Sequence, residues 1–349
     1  MIAKILIASV FLMNSFLVEA TSYSRKGKIQ IEKIKYDIVV AADGTGNFKT
    51  VQEALNSVVS FNAMETVILI KNGVYKEKLE ITKDKNNITL IGESKDKVIL
   101  TFDDYASKKN SEGKEIGTSG SASFIVTADN FKAQNITFEN SSGPVGQAVA
   151  VRVDGDKIIF DNCKFLGFQD TLYPRSTTSR QYYKNCYIEG TTDFIFGAST
   201  AVFDQCEIFA KKGGSYLTAA STLEKIPYGL VFLNCKLTTN SGNSSYYLGR
   251  PWRPYANTVF VQCEMAAHIK PEGWNNWGKT ENEQTARYIE YNSTGTGASF
   301  NQRVKWSKSL TAEQAKEYSV ENIFKSSFAE QPVIDNWNPK KIITDLYKK

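Results

Sequence analysis

Asp170 and Asp193 lie 23 residues apart in matching surroundings. The series Asn162, Cys163, Gly167, Asp170 recurs at the same offsets as Asn185, Cys186, Gly190, Asp193. Gln147 lies a further 23 residues upstream of Asp170, and Gln169 directly precedes it. A repeat of roughly 20–50 residues is the mark of a solenoid. Residues one repeat apart then stack on one face, which would bring the two carboxylates and an amide together. Two adjacent carboxylates do not ionise alike, because the pKa of one is pushed up. The protonated one can serve as an acid while the ionised one serves as nucleophile or base. The amides of Gln147 and Gln169 can donate hydrogen bonds to a developing oxyanion. Arg250, in Leu248-Gly249-Arg250-Pro251-Trp252, can hold one carboxylate ionised. Taken singly, each residue has a plainer reading. An Asp before Thr171 or Phe194 can cap a turn, and an Arg before Pro251 can be a solvated rim charge.

Other chemistries are short of residues. The one histidine, His268, would have to serve any Ser-His-Asp triad, and no Gly-x-Ser-x-Gly elbow accompanies it. No His/Cys/Asp/Glu cluster has metal-ligand spacing, so neither metal nor cofactor is expected. Gly44-Thr45-Gly46-Asn47-Phe48-Lys49 has Lys where a dinucleotide fingerprint needs its third Gly, and reads as a turn. The net charge of +5 would attract a polyanion only mildly, and no Lys/Arg block suggests nucleic acid.

The elements that must position these residues are mostly strands. Short β-branched runs such as Thr66–Ile70, Ile88–Ile91, Lys97–Thr101, Phe124–Thr127 and Ala148–Val153 alternate with turn residues. The five cysteines, Cys163, Cys186, Cys206, Cys235 and Cys263, each follow an aromatic residue, a variable one and Asn or Gln, at spacings of 23, 20, 29 and 28. That recurrence favours a coiled solenoid over a sandwich and places the cysteines on one inward ladder. A free Cys there acts as a small apolar residue. Cys186 and Cys206 are the closest pair and are expected to bridge, since a secreted protein can keep disulfides. A helix over Thr50–Val58 is expected to cap one end of the coil. A second helix starts after Leu310, where Thr311 and Gln314 fit a capping box. The Gly- and Ser-rich stretch Gly117–Ser123 reads as a long loop.

Residues 1–20 read as a secretory signal peptide, with Lys4, an apolar run from Ile5 to Val18, and a small residue, Ala20, for cleavage. The run is short of the ~20 residues a bilayer needs. A secreted, extracellular protein is expected, with no membrane association and one domain over residues 21–349.

The ordered set Gln147-Ala148-Val149-Ala150, Gly167-Phe168-Gln169-Asp170-Thr171-Leu172-Tyr173, Asp193-Phe194-Ile195-Phe196-Gly197 and Leu248-Gly249-Arg250-Pro251-Trp252 closely resembles the pectin methylesterases. The resemblance begins near Asp43-Gly44-Thr45-Gly46. It takes in Gly73-Val74-Tyr75-Lys76-Glu77 and Asn135-Ile136-Thr137-Phe138, and reaches Glu290-Tyr291-Asn292-Ser293-Thr294-Gly295. It implies an all-β fold, a right-handed parallel β-helix, and metal-free hydrolysis of the methyl esters of pectin (homogalacturonan) by a monomer. Asp193 matches the family's nucleophile and Asp170 its acid. Gln147 and Gln169 match the oxyanion donors, and Arg250 matches the partner of the nucleophile. Tyr173, Phe196, Trp252 and Trp274 match aromatics along the groove, for which core packing is the alternative. The segment Tyr173-Pro174-Arg175-Ser176 departs from the usual pattern. A pectate lyase or polygalacturonase on the same fold, or a non-catalytic pectin-binding solenoid, are the other readings. Sequons begin at Asn87, Asn135, Asn140, Asn243 and Asn292, and strands are expected to bury some of them.

Overall fold

The computed structural model describes residues 36–325 and 335–348. The expected signal peptide lies outside the described residues. The chain divides into two compact units. One, Lys35–Ile343, carries the coil. The other, Met1–Ile34 with Thr344–Lys349, is described only as the end of the helix Pro339–Lys348.

Residues 38–309 wind as the expected right-handed parallel β-helix, with three parallel sheets of 11, 8 and 7 strands. One coil shows the plan. Ile158–Asp161 belongs to the 11-stranded sheet, Lys164–Leu166 to the 8-stranded sheet and Leu172–Pro174 to the 7-stranded sheet. Each strand pairs in parallel register with its counterpart one coil on, as Phe160 does with Tyr183.

The recurrent Asn/Gln-Cys frame has a backbone cause. Asn162, Asn185, Gln205, Asn234 and Gln262 all have φ between 51° and 56°. Each makes a left-handed bend between the 11- and 8-stranded sheets, and Asn is among the non-glycine residues that tolerate this conformation best. The aromatic two positions earlier points inward. Phe160, Tyr183, Phe203, Phe232 and Phe260 form one stacked column with ring centroids 4.5–5.2 Å apart. All are fully buried, and burial of each side chain stabilises the coil by about 1.5–3 kcal/mol.

The cysteine after each bend also points inward, and here one expectation fails. All five cysteines are free and buried, and Cys186 and Cys206 form no bridge. Stacked parallel strands hold equivalent side chains ~4.8 Å apart, whereas a disulfide needs a Cβ separation of about 3.8 Å. Instead, the Cys186 and Cys206 thiols donate to the carbonyls of Phe160 and Tyr183, at 3.5 and 3.4 Å. Burial pushes both thiols well up, so they stay protonated.

The first helix, Val51–Ser57, is capped by Thr50 and buries Val51, Ala54 and Leu55 against the coil. The capping box of Thr311 and Gln314 forms. Gly117–Ser123 is not a long loop: Gly117–Gly120 is a helical turn, and Ser121 and Ser123 are buried. The sequon at Asn140 is buried because its amide donates to three backbone carbonyls. On the outer face of the 11-stranded sheet, Val320, Ile323, Phe324 and Ile343 pack over Ile159, Tyr182 and Val202.

Candidate active site

The 7-stranded sheet carries the site. Its strand Thr192–Gly197 pairs with Leu172–Pro174 at Leu172 and Ile195, which are 23 residues apart. The repeat therefore sets the register, and Asp170 and Asp193 occupy neighbouring coils. Both carboxylates sit where the backbone leaves regular extension. Asp170 has φ 66° and Asp193 φ 51°, and the register slips between Thr192 and Ile195. Such bulges re-aim a side chain. The repeated glycines fit the same bends. A Cβ on Gly190 would lie 2.2 Å from the Phe194 Cβ, and one on Gly167 would lie 2.6 Å from the Thr171 hydroxyl.

Gln147 falls one residue off the expected stacking. Its coil partner is Gln169, not Asp170. The pairing sets the two glutamines side by side on adjacent coils, and the Gln147 amide donates to Asp170.

The carboxylates are unequal. Arg250 forks onto Asp193 alone, with Nε donating to Oδ1 at 2.9 Å and Nη2 to Oδ2 at 2.6 Å. Burial raises the pKa of both groups. Asp170 is pushed well up by burial and then by the charge of Asp193. Asp193 is raised by burial too, but the hydrogen bonds and charge of Arg250 oppose it. The pair thus favours a proton on Asp170 and a charge on Asp193.

Beside the carboxylates lies an aromatic shelf on the outward row of the same sheet. Tyr173 and Phe196 stack at 4.1 Å, and the Trp252 ring lies 6.2 and 5.9 Å from them. Trp252 is 36% exposed, while Tyr173 and Phe196 are buried. A trough of about 710 Å³ continues past Tyr173 and Trp252, lined also by Arg175, Ser176 and Arg253.

The sequence profile described as Pectinesterase matches residues 37–327. The chain belongs to the pectinesterase family. It is 42% identical over 281 residues to Pectinesterase 31 of Arabidopsis thaliana, covering 79% of this chain and 88% of that protein. It spans about half the length of other curated relatives, including Pectinesterase 4 of the same plant. The solved pectin methylesterase from carrot superposes with a TM-score of 0.75 at 34% identity, over 85% of this chain and 94% of the other. A pectin methylesterase solved with a hexasaccharide also gives 0.75, at 33% identity, over 86% of this chain and all of that one. As a member of this family the chain is an esterase.

Two of the expected groove aromatics are buried: Phe196 is 4% exposed within a cluster with Val149 and Ala219, and Trp274 lies deeper still. Trp274 does not line the groove. It is 1% exposed, stacks on Tyr288 at 4.2 Å and donates its indole N–H to Glu290. Trp277, three residues on, faces the site instead, with its ring 3.7 Å from the Arg250 Cζ. Tyr216 takes a similar place at 3.9 Å. Both escaped sequence reasoning. The second Trp of Gly273-Trp274-Asn275-Asn276-Trp277 was the available signal, but no strand periodicity in that loop says which indole faces out. His268 is 1% exposed and packs against Tyr246, and burial pushes its pKa down to about 4.

Proposed function

We propose that this chain is a secreted, monomeric pectin methylesterase that hydrolyses C6 methyl esters of homogalacturonan to pectate and methanol. The observation that carries the reading is the unequal pair: one buried carboxylate forked by arginine beside another, unforked, whose pKa burial and its neighbour's charge push up. Asp193 attacks the ester carbonyl, and the amides of Gln147 and Gln169 receive the oxyanion. Collapse of the tetrahedral intermediate expels the methoxy group, which takes the Asp170 proton and departs as methanol. An acyl anhydride on Asp193 remains. Asp170, now a carboxylate, accepts a proton from water as the water oxygen attacks the anhydride carbonyl. Asp193 leaves as a carboxylate, the galacturonic acid is freed, and Asp170 is protonated again. Trp252 offers an apolar ring to a sugar face.

Methanol assay on methylated pectin tests this directly. The protein releases methanol, and Asp193→Ala abolishes release with folding intact by circular dichroism. Shortened chains or unsaturated ends without methanol would instead mark a polygalacturonase or a lyase. Secretion rests on residues 1–20, and the expected result is a secreted product whose N-terminal sequence begins near Thr21.

A further inference from the structure

The Arg250 guanidinium lies 3.9 Å from the Tyr216 ring centroid and 3.7 Å from that of Trp277. Two rings cannot share one face of a planar group at that distance, so the guanidinium is held between them. Tyr216 comes from a regular strand, Tyr216–Ala220, of the site's own sheet. Trp277 comes from a loop and has φ 62°, so something else must fix it.

That loop is moulded from below. Its first residues pair with the segment that carries Arg250: Leu248 N–H donates to Gly273 O at 2.7 Å, and Asn275 N–H to Gly249 O at 3.1 Å. Trp274 packs directly under Gly249, where an added Cβ would lie 3.3 Å from the indole. The indole N–H is fixed by Glu290 at 3.1 Å. Glu290 is in turn forked by Arg303, at 2.9 and 3.1 Å. Arg303 also donates to the carbonyls of Lys270 and Pro271, and its stem lies under Gly273, whose φ is +70°. The Trp277 N–H is then tied to Asn275 Oδ1 at 2.8 Å.

We infer that Trp277 is a positioning residue which clamps Arg250 against Tyr216, and that the buried Glu290–Arg303 pair sets this clamp from beneath. The clamp fixes the plane of the fork and so the direction of the Asp193 oxygens. The inference rests on the reading of Asp193 as nucleophile. Misplacement of a reacting group by about 1 Å can cost ~100-fold in rate, so the effect belongs in kcat. A ring that served only by stacking on sugar would act in KM.

The test uses Trp277→Ala, Trp277→Phe and Glu290→Gln, with Arg250→Lys as the partner background. Trp277→Ala is expected to lower kcat by about 10- to 100-fold with KM within about twofold. Trp277→Phe recovers most of the loss. In the Arg250→Lys background the same Ala change costs less than about threefold, because the clamped group is already altered. Glu290→Gln lowers kcat in the same direction, and its loss is not additive with that of Trp277→Ala. A raised KM at unchanged kcat, or the full kcat cost persisting in the Arg250→Lys background, overturns the inference. A thermal double-mutant cycle between Trp277 and Arg250 needs no substrate. Coupling there without methanol release from the unaltered protein would sink the reaction and keep the clamp. Methanol release without coupling would sink the clamp and keep the reaction.

Discussion

Two carboxylate–guanidinium forks in this molecule use one chemistry to opposite ends. Arg303 grips Glu290 through Nε and Nη2 at 2.9 and 3.1 Å, and Arg250 grips Asp193 through the same atoms at 2.9 and 2.6 Å. The surroundings differ. The Arg303 pair is 3% and 1% exposed, and spare donors reach the carbonyls of Lys270, Pro271 and Gly297. Glu290 also takes the Trp274 indole. The guanidinium protons of Arg303 all find acceptors inside the core, and breaking such a pair leaves a buried charge. The Arg250 pair is 20% and 7% exposed. Asp193 sits in a left-handed bend beside a second buried carboxyl, Asp170, whose pKa its charge helps to raise. Arginine is common to both forks. What makes one a reaction centre is the strained carboxylate, the second carboxyl beside it and the opening to the groove.

The comparison breaks hardest at the aspartates. Asp193→Asn and Asp170→Asn are each expected to lower kcat/KM for methanol release by about 10⁴-fold or more. Their stabilities should not follow. The folded pKa of Asp170 is raised above its unfolded value, so the group costs stability at any pH above the unfolded pKa. A neutral amide removes that cost, and the melting temperature of Asp170→Asn at pH 7 should rise by a few degrees. A fall would mean that Asp170 is a structural carboxylate like Glu290. The rate profile carries the same signature. The first step needs Asp193 ionised, and its pKa is raised, so the acid limb should lie above the usual aspartate value of 3.8. The rate then falls again at higher pH as Asp170, raised further, loses its proton. A flat profile through the acid range contradicts the assignment.

The fold was legible because one frame recurs for a backbone reason. An inward aromatic, a left-handed Asn or Gln and an inward Cys recur at five successive bends of the coil, from Asn162 to Gln262. The paired aspartates were legible for a related reason, since Gly167 and Gly190 mark the same tight bend three residues earlier. Three features were not legible. The coil that carries Gln147 pairs at an offset one residue short of 23 without leaving a mark in composition, so the repeat placed Gln147 over Asp170 when its partner is Gln169. The choice between Trp274 and Trp277 depends on contacts with Glu290 and Arg250, which come from distant parts of the chain. The disulfide failed on the spacing between coils, which no residue type reports.

The two arginines should separate stability from activity. Arg303→Ala strands Glu290 in the core, and urea unfolding should show a loss of about 3–5 kcal/mol. Arg250→Ala removes the partner that opposes protonation of Asp193. Its kcat should fall by about 10²- to 10³-fold, with a smaller change in the unfolding midpoint. Equal losses of stability would erase the distinction between the forks. Trp252→Ala should act more weakly, raising KM for pectin about tenfold with kcat little changed, since its exposed ring touches sugar and not the reacting atoms.

The smallest effect tests whether the fork alone explains anything. Lys316 and Glu313 form a third ion pair at 2.6 Å, one turn apart on a surface helix, with side chains 70% and 81% exposed. Its distance equals the shorter arm of the Arg250 fork. Distance therefore predicts that it matters as much, whereas burial predicts that it matters hardly at all. An exposed pair gains little over its solvated partners and is screened by salt. Lys316→Ala should leave the melting temperature and the rate of methanol release unchanged within error, at low and high salt alike. A measurable loss at low salt would mean that contact length, and not the removal of water, ranks the ion pairs of this coil.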